Sequence, residues 1–166
     1  MGRDKARLPF RGGELAGAVA RAVAEAAGSA TFVGHPVLPG LTDLYPGEGP
    51  LGGILTVLRH TTSEGNLIVA CDMPEVRGAF LGQLVARAAE RPGTVILPHG
   101  PDGRPQFLCA VYPRSALGTI ETHFFNGVRR VETALDGLAV EPLEIAELSC
   151  FQNVNTPEDW AAYEPE

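Results

Sequence analysis

The sequence predicts a layered α/β domain with a mostly parallel sheet. Short apolar runs of strand length alternate along the chain with longer segments whose apolar residues recur at helical spacing. The run Leu67-Ile68-Val69-Ala70 is apolar throughout, which is typical of a parallel strand that is buried on both faces. With 166 residues the chain is long enough to bury one core. We therefore expect a single domain over residues 1–166.

The individual elements follow from the same patterns, taken in order. Helical spacing predicts helices over residues 13–27, 54–60, 79–90, 115–125 and 128–135. Strands are expected over residues 30–33, 67–70, 94–97, 107–112 and 140–148, the last at a sheet edge. Gly28 and Arg91-Pro92-Gly93 are natural ends for the first and third helices. Thr156 before Pro157 is typical of the start of a last helix.

Composition limits the classes of protein and partner. The chain is 45% apolar and 20% charged, which is typical of a globular domain, and no apolar run approaches the ~20 residues that span a bilayer. The start Met-Gly-Arg-Asp-Lys does not resemble a signal peptide, and the three cysteines form no Cys-x-x-Cys pair. We therefore expect a cytoplasmic protein without a membrane partner. A net charge of −7 argues against nucleic-acid binding but is compatible with a nucleotide ligand.

Asp72 is the first candidate for chemistry. It follows the predicted strand Leu67–Ala70, and Pro74 prevents that strand from continuing. Ligands of open α/β sheets bind at the carboxyl ends of the strands. A single carboxylate there suits a divalent cation that also holds substrate phosphates. The alternative is that Asp72 caps the following turn.

A basic cluster at the start of the chain is the second candidate. Arg3, Lys5, Arg7 and Arg11 lie within the first twelve residues of an acidic protein. Such a cluster can be a solvated tail, or it can bind phosphate.

The loop from Asp43 to Ile54 is the third candidate. Six of the eight residues from Pro46 to Gly53 are Gly or Pro, and the loop leads into a predicted helix. Glycine lets a planar group or a phosphate approach the backbone closely. The alternative is an ordinary turn.

Four motifs in order carry a family resemblance. They are Met-Gly-Arg-Asp-Lys-Ala at residues 1–6, the loop 43–54, Cys-Asp-Met-Pro at 71–74 and Asn-Val-Asn-Thr-Pro-Glu-Asp at 153–159. Together they resemble the molybdenum cofactor guanylyltransferases, which transfer GMP from GTP to molybdopterin and release pyrophosphate. The resemblance covers nearly the whole chain and implies a Rossmann-like three-layer α/β/α nucleotidyltransferase domain with a mostly parallel mixed sheet.

The resemblance also implies roles for particular residues. Lys5 would contact the GTP phosphates, and Asp72 would bind Mg²⁺; these two are the catalytic candidates. The other GTP-binding candidates are Asp43, Gly49, Pro50 and Leu51. The candidates on the pterin side are Arg104, Gln106, Asn153 and Asn155, with Tyr112 in the same segment as the first two. The implied partners are GTP and molybdopterin or the molybdenum cofactor, with molybdoenzymes or their chaperones as further candidates.

The implied reaction is consistent with the residues present. Phosphoryl transfer depends on positioning and charge neutralisation, which a metal on Asp72 and the ammonium of Lys5 would supply. The attacking phosphate of molybdopterin is already ionised, so no general base is required. The four histidines, His35, His60, His99 and His123, are scattered along the sequence.

Three departures from the family pattern leave other functions open. In the family a buried strand and a glycine-rich phosphate loop precede the segment that matches Met1. Phe107 stands where the family usually has proline, and Val33-Gly34-His35 lacks an asparagine that some members have. The alternatives are a nucleotidyltransferase that uses CTP or a sugar phosphate, and a truncated, non-catalytic protein that binds a nucleotide or pterin.

Overall fold

A computed structural model describes residues 5–100 and 102–145 of the chain. The helices are α1 (Leu15–Ala27), α2 (Pro50–His60), α3 (Gly78–Glu90), α4 (Leu117–Phe125) and α5 (Val131–Ala134). The strands are β1 (Pro9–Phe10), β2 (Gly13–Glu14), β3 (Phe32–Val33), β4 (Gly40–Leu41), β5 (Gly65–Val69), β6 (Val95–His99), β7 (Cys109–Pro113) and β8 (Val140–Glu144). None of the described helices is long and apolar enough to cross a bilayer.

The main sheet has four strands in the order β5-β7-β6-β8. Strand β7 pairs antiparallel with both β5 and β6, whereas β6 pairs parallel with β8. Three of the four strands therefore run in one direction and β7 runs against them. This arrangement confirms the predicted mixed α/β sheet. The residues that follow β5 and β6 consequently leave the sheet at the same edge.

Side chains alternate between two hydrophobic cores along the central strands, as the pleat requires. Ile96 and Val111 lie in one core, whereas Leu97 and Tyr112 lie in the other. The first core is closed by α1 and α3, which pack against each other, and the second by α2 and α4. Helices on both faces of the sheet give the three-layer α/β/α architecture that the family resemblance implies.

Helix ends follow the local signals that the sequence carries. Gly28 ends α1 with a φ of 84°, a conformation that glycine adopts without steric cost. Helix α2 starts at Pro50, four residues before the predicted start at Ile54. The reason is that Gly49 caps this helix and Pro50 occupies its first turn, where a proline does not interrupt hydrogen bonding.

Strand β5 differs from the sequence prediction. Leu67, Ile68 and Val69 are only partly buried, although a strand buried on both faces was expected. Both faces of β5 do pack on apolar side chains, Leu67 and Val69 on one core and Ile68 on the other. The strand is exposed along its side, because no strand in residues 5–100 and 102–145 pairs with the edge opposite β7.

Candidate active site

Lys5 and Asp72, which the sequence separates by most of the first half of the domain, come together in space. The Lys5 Nζ atom lies 3.8 Å from Asp72 Oδ2. The Lys5 side chain is 33% exposed and the Asp72 side chain 22%, so both are accessible to a ligand. The predicted metal ligand and the predicted phosphate-binding cation thus form one site.

Apolar neighbours fix the backbone on both sides of this pair. Lys5 begins a short 3₁₀ turn, Lys5–Arg7, whose Ala6 is buried, and Leu8 follows in the first core. Asp72 lies in the turn between β5 and α3, and the next residue, Met73, is 2% exposed in the same core. The charged groups can therefore face a ligand while the chain beside them is packed.

Asp43 has a defined structural role at the start of the glycine-rich loop. Its Oδ1 atom accepts hydrogen bonds from the Tyr45 amide and the Thr56 hydroxyl, each at 2.9 Å. Thr56 is fully buried in α2, and its hydroxyl oxygen accepts the Leu44 amide at 3.1 Å. The Asp43 carboxylate therefore ties the loop to the helix that the loop leads into.

Two glycines with positive φ shape the loop itself. Gly47 and Gly49 have φ values of 82° and 75°. A Cβ atom on Gly52 would lie 3.0 Å from the Tyr45 carbonyl oxygen, so only glycine fits the observed spacing without adjustment. Pro50 is exposed, but the Leu51 side chain is completely buried in the second core. Leu51 can meet a nucleotide only through its backbone, not through the side chain.

A cavity of about 660 Å³ lies between the end of the loop and the chain beside the Lys5–Asp72 pair. Its walls include Ala6 and Cys71, the chain neighbours of that pair, and Pro50 and Gly53 from the loop. The cavity continues between the edges of β3 and β5, with one face of α1 on one side and one face of α2 on the other. We call this extension the β3–β5 slot.

The pterin-side candidates are placed less closely together. Arg104 is 82% exposed and forms an ion pair with Asp102 in its own loop, at 3.4 Å. The backbone amide of Gln106 donates to the Pro98 carbonyl near the end of β6, at 2.9 Å. Leu108, at the end of the same segment, accepts the Ala70 amide at 2.7 Å, which brings the segment beside the end of β5. Asn153 and Asn155 lie outside the described residues.

Tyr112 lies beneath this segment. It is fully buried, and its hydroxyl donates to the Phe107 carbonyl at 2.7 Å. Burial raises the pKa of Tyr112, because a phenolate would lose its hydration there. The neutral hydroxyl is thus held as a donor that fixes Phe107, and it is not positioned as an acid or base.

Sequence patterns did not identify Thr56 or the contact of Glu48 with Arg129. Thr56 was missed, although a hydroxyl within an otherwise apolar helix face is a signal that a buried partner exists. The contact of Glu48 in the loop with Arg129 after α4 was also missed, and a separation of 81 positions along the chain leaves no local signal.

Comparison with known proteins supplies the family. The model of the MobA-like NTP transferase domain matches residues 1–139. The chain belongs to this family. A probable molybdenum cofactor guanylyltransferase from Methanothermobacter thermautotrophicus is 38% identical over 128 residues, covering 72% of this chain and 63% of the relative. A probable molybdenum cofactor guanylyltransferase from Nostoc is 31% identical over the whole chain, which spans 85% of that relative.

A solved structure agrees with this membership. Molybdopterin-guanine dinucleotide biosynthesis protein A from Archaeoglobus fulgidus superposes with a TM-score of 0.78 at 25% identity, covering 98% of this chain and 90% of that one. The resemblance that four sequence motifs indicated is confirmed, as is the Rossmann-like fold class. The two relatives are named as molybdenum cofactor guanylyltransferases, which is the activity that the sequence predicts.

Proposed function

We propose that this MobA-like chain transfers GMP from GTP to molybdopterin, forms the guanine dinucleotide form of the molybdenum cofactor and releases pyrophosphate. The observation that supports this most is the Lys5–Asp72 pair at the carboxyl end of β5, in a chain whose relatives are named for that reaction. A cation and a carboxylate side by side suit a substrate that brings phosphates and a divalent metal together.

The residues present fit a metal that is shared with the substrate. Among the described residues, no group of three His, Cys, Asp or Glu side chains is arranged to hold an ion. Asp72 offers one accessible carboxylate, and Mg²⁺ is commonly bound by one or two carboxylates together with waters and substrate phosphates. We propose that Asp72 holds Mg²⁺ in this manner, where the ion would neutralise charge on the phosphates.

The reaction requires the protein to position the substrates and stabilise charge, and it does not require proton transfer. A phosphate oxygen of molybdopterin forms a bond to the α-phosphorus of GTP, and the bond from that phosphorus to the oxygen of the leaving pyrophosphate breaks. Lys5 would leave Asp72 to contact the phosphates and stabilise the negative charge that collects on pyrophosphate. The attacking oxygen is already ionised, so no side chain has to accept a proton.

The remaining candidates are assigned by position. Asp43, Gly49, Pro50 and the Leu51 backbone would form the side that receives guanine and ribose, since Pro50 of their loop lines the same cavity as Ala6 and Cys71, the chain neighbours of Lys5 and Asp72. Arg104, Gln106, Asn153 and Asn155 would contact the pterin. We place the reaction in the cytoplasm, and we expect molybdoenzymes or their chaperones to take the product.

We further propose that the single domain takes up one more strand in the β3–β5 slot. Ala70 donates to Leu108, and Glu64 accepts from Arg114, so the even-numbered residues of β5 turn their backbone groups towards β7. In an antiparallel pair the alternate residues, Gly65, Leu67 and Val69, must turn theirs towards the slot.

The two helical walls of the slot are mostly apolar where they face it, as are helices that pack on a strand of a sheet. Val19 and Val23 of α1 line one side, and Ile54 and Val57 of α2 line the other. We propose that residues preceding Met1 in a longer form of the chain add a strand there, because Ala6, near the start of the described chain, lies on the wall of the same cavity. Such a strand would pair with the edge of β5 and cover both cores.

The alternatives are a nucleotidyltransferase that uses CTP or a sugar phosphate and a non-catalytic protein that binds a nucleotide or pterin. Nucleotide preference distinguishes the readings, since a ligand at ~100 times its dissociation constant adds about 2.7 kcal/mol to the free energy of unfolding. We expect GTP with Mg²⁺ to raise the melting temperature and CTP to leave it unchanged. A shift with CTP alone would support the cytidylyltransferase. Binding of GTP without turnover would support the non-catalytic protein.

A further inference from the structure

The glycine-rich loop is held at its tip by a residue from a distant part of the chain. The Arg129 Nε atom donates to Glu48 Oε2 and forms an ion pair with it. Glu48 lies between Gly47 and Gly49, both with positive φ, so it is flanked by the two most freely rotating backbone positions of the loop. We call this contact the Glu48–Arg129 latch.

Arg129 is itself held in place, which makes the latch more than a pair of mobile surface charges. Its Nη1 atom donates to the carbonyls of Phe124 and Val128, at 2.8 and 2.9 Å. Its guanidinium lies over the Phe124 ring, 4.2 Å from the centroid. Because these contacts already order the side chain, little rotamer entropy is lost when it binds Glu48.

A second contact joins the same two regions. The Tyr45 ring, at the start of the loop, lies 4.7 Å from the Phe124 ring between centroids. Phe124 thus packs against Tyr45 on one flank and carries Arg129 on another. Tyr45 and Glu48 are consequently both tied to the end of α4 or to the residues just after it.

We propose that Arg129 is a positioning residue, which holds the loop in the conformation that receives the nucleotide. The inference rests on the proposed function for the loop's contact with GTP, but the ordering of the loop does not depend on it. Without the latch, the glycines on either side of Glu48 would sample other conformations. Each binding event would then have to order the loop again.

The test uses Glu48→Gln, Arg129→Gln and the double variant, with Arg91→Gln as the matched control. Arg91 is also an exposed arginine, and it pairs with Glu141 at 3.1 Å on another part of the molecule. We expect the KM for GTP to rise about two- to fivefold in each latch variant with kcat within about twofold. The double variant should be no worse than the more affected single one, and the control should match the wild type.

Hydrogen exchange of the ligand-free protein separates a failure of this inference from a failure of the proposed function. The Glu48 and Gly52 amides bond to Tyr45 and Gly49 within the loop, and we expect both to exchange faster in the latch variants only. If the wild type does not bind GTP but these amides still respond, the proposed function fails and the latch stands. Unchanged exchange, additive effects in the double variant or an equal effect of Arg91→Gln would overturn the latch.

Discussion

At the scale of single residues, Asp72 is the position on which the proposed chemistry depends most. Asp72→Asn keeps the size of the side chain but removes its charge, so metal-dependent turnover should fall at least ~10²-fold, as when other electrostatic stabilisers are removed. The melting temperature should change little, because Asp72 is partly exposed and its ion pair with Lys5 is long. Pyrophosphate release and thermal unfolding measure the two effects.

A matched control for this variant lies three residues away. Glu75 is a carboxylate that pairs with Arg11 and Arg77 rather than with Lys5. Glu75→Gln should retain turnover. Full turnover in Asp72→Asn would remove Asp72 from the metal site and favour its reading as a cap of the turn.

Lys5 distinguishes a phosphate-binding start of the chain from a solvated tail. Lys5→Ala should weaken GTP binding by about 10- to 100-fold, the usual cost of losing a hydrogen bond to a charged group. Arg7→Ala serves as the control, because Arg7 lies on the same turn but pairs with Glu14. Calorimetric titration with GTP measures both. Equal affinities for wild type and Lys5→Ala would mean that the cluster is a tail.

At the scale of elements, Thr56 controls how the glycine-rich loop joins α2. Thr56→Val preserves the shape of the side chain but leaves the Leu44 amide without its acceptor and removes one donor from Asp43. We expect the free energy of unfolding to fall by about 1–3 kcal/mol, the cost of unsatisfied buried polar groups. Urea unfolding tests this, and Thr61→Val beyond the end of α2 is the control. A loss below the error of the method would show that the loop does not need this anchor.

Strand β7 carries a pH-dependent contribution through Tyr112. Because the folded-state pKa of Tyr112 lies above the unfolded value of about 10, its contribution to stability is complete below pH ~10 and is lost as the pH rises further. The stability of Tyr112→Phe should therefore fall less steeply above that pH than the stability of the wild type. Chemical unfolding at pH 8 and at pH 11 gives the two slopes. Parallel slopes would contradict the burial of a neutral phenol.

Local signals predicted elements well and their surroundings less well. Gly28 and the helical spacing of apolar residues were sufficient for α1, because a helix end and a buried face depend on neighbours in sequence. The reversed direction of β7 was not predictable, since an apolar run reads the same in either direction. The partial exposure of β5 was not predictable either, because it depends on whether another strand lies beside it.

In the candidate site, too, residues in local motifs were predicted and contacts between distant segments were not. Lys5 and Asp72 were identified as chemically distinct residues in motifs, and the structure joins them. Arg129 lies in none of the four motifs, and only the path of the chain brings it to Glu48. The burial of Leu51 also depends on the whole core, so its backbone and side chain could not be separated from the sequence.

At the scale of the whole molecule, the β3–β5 slot predicts that the domain gains stability from a further strand. A form of the chain extended at its N-terminus by residues that pair with β5 should melt cooperatively and at a higher temperature than the 166-residue chain, because both cores would be covered. Deuterium uptake at Gly65, Leu67 and Val69 should fall in the extended form. Equal melting and equal uptake would mean that nothing enters the slot.

The most direct test of the central claim is the product of the reaction. The extended and the 166-residue chains would each be incubated with molybdopterin, Mg²⁺ and GTP labelled at the α-phosphate, with CTP in parallel. We expect at least the extended chain to attach labelled GMP to molybdopterin and to release one pyrophosphate for each product, and to use CTP far less. A preference for CTP, or no product from a chain that folds and binds GTP, would contradict the assignment.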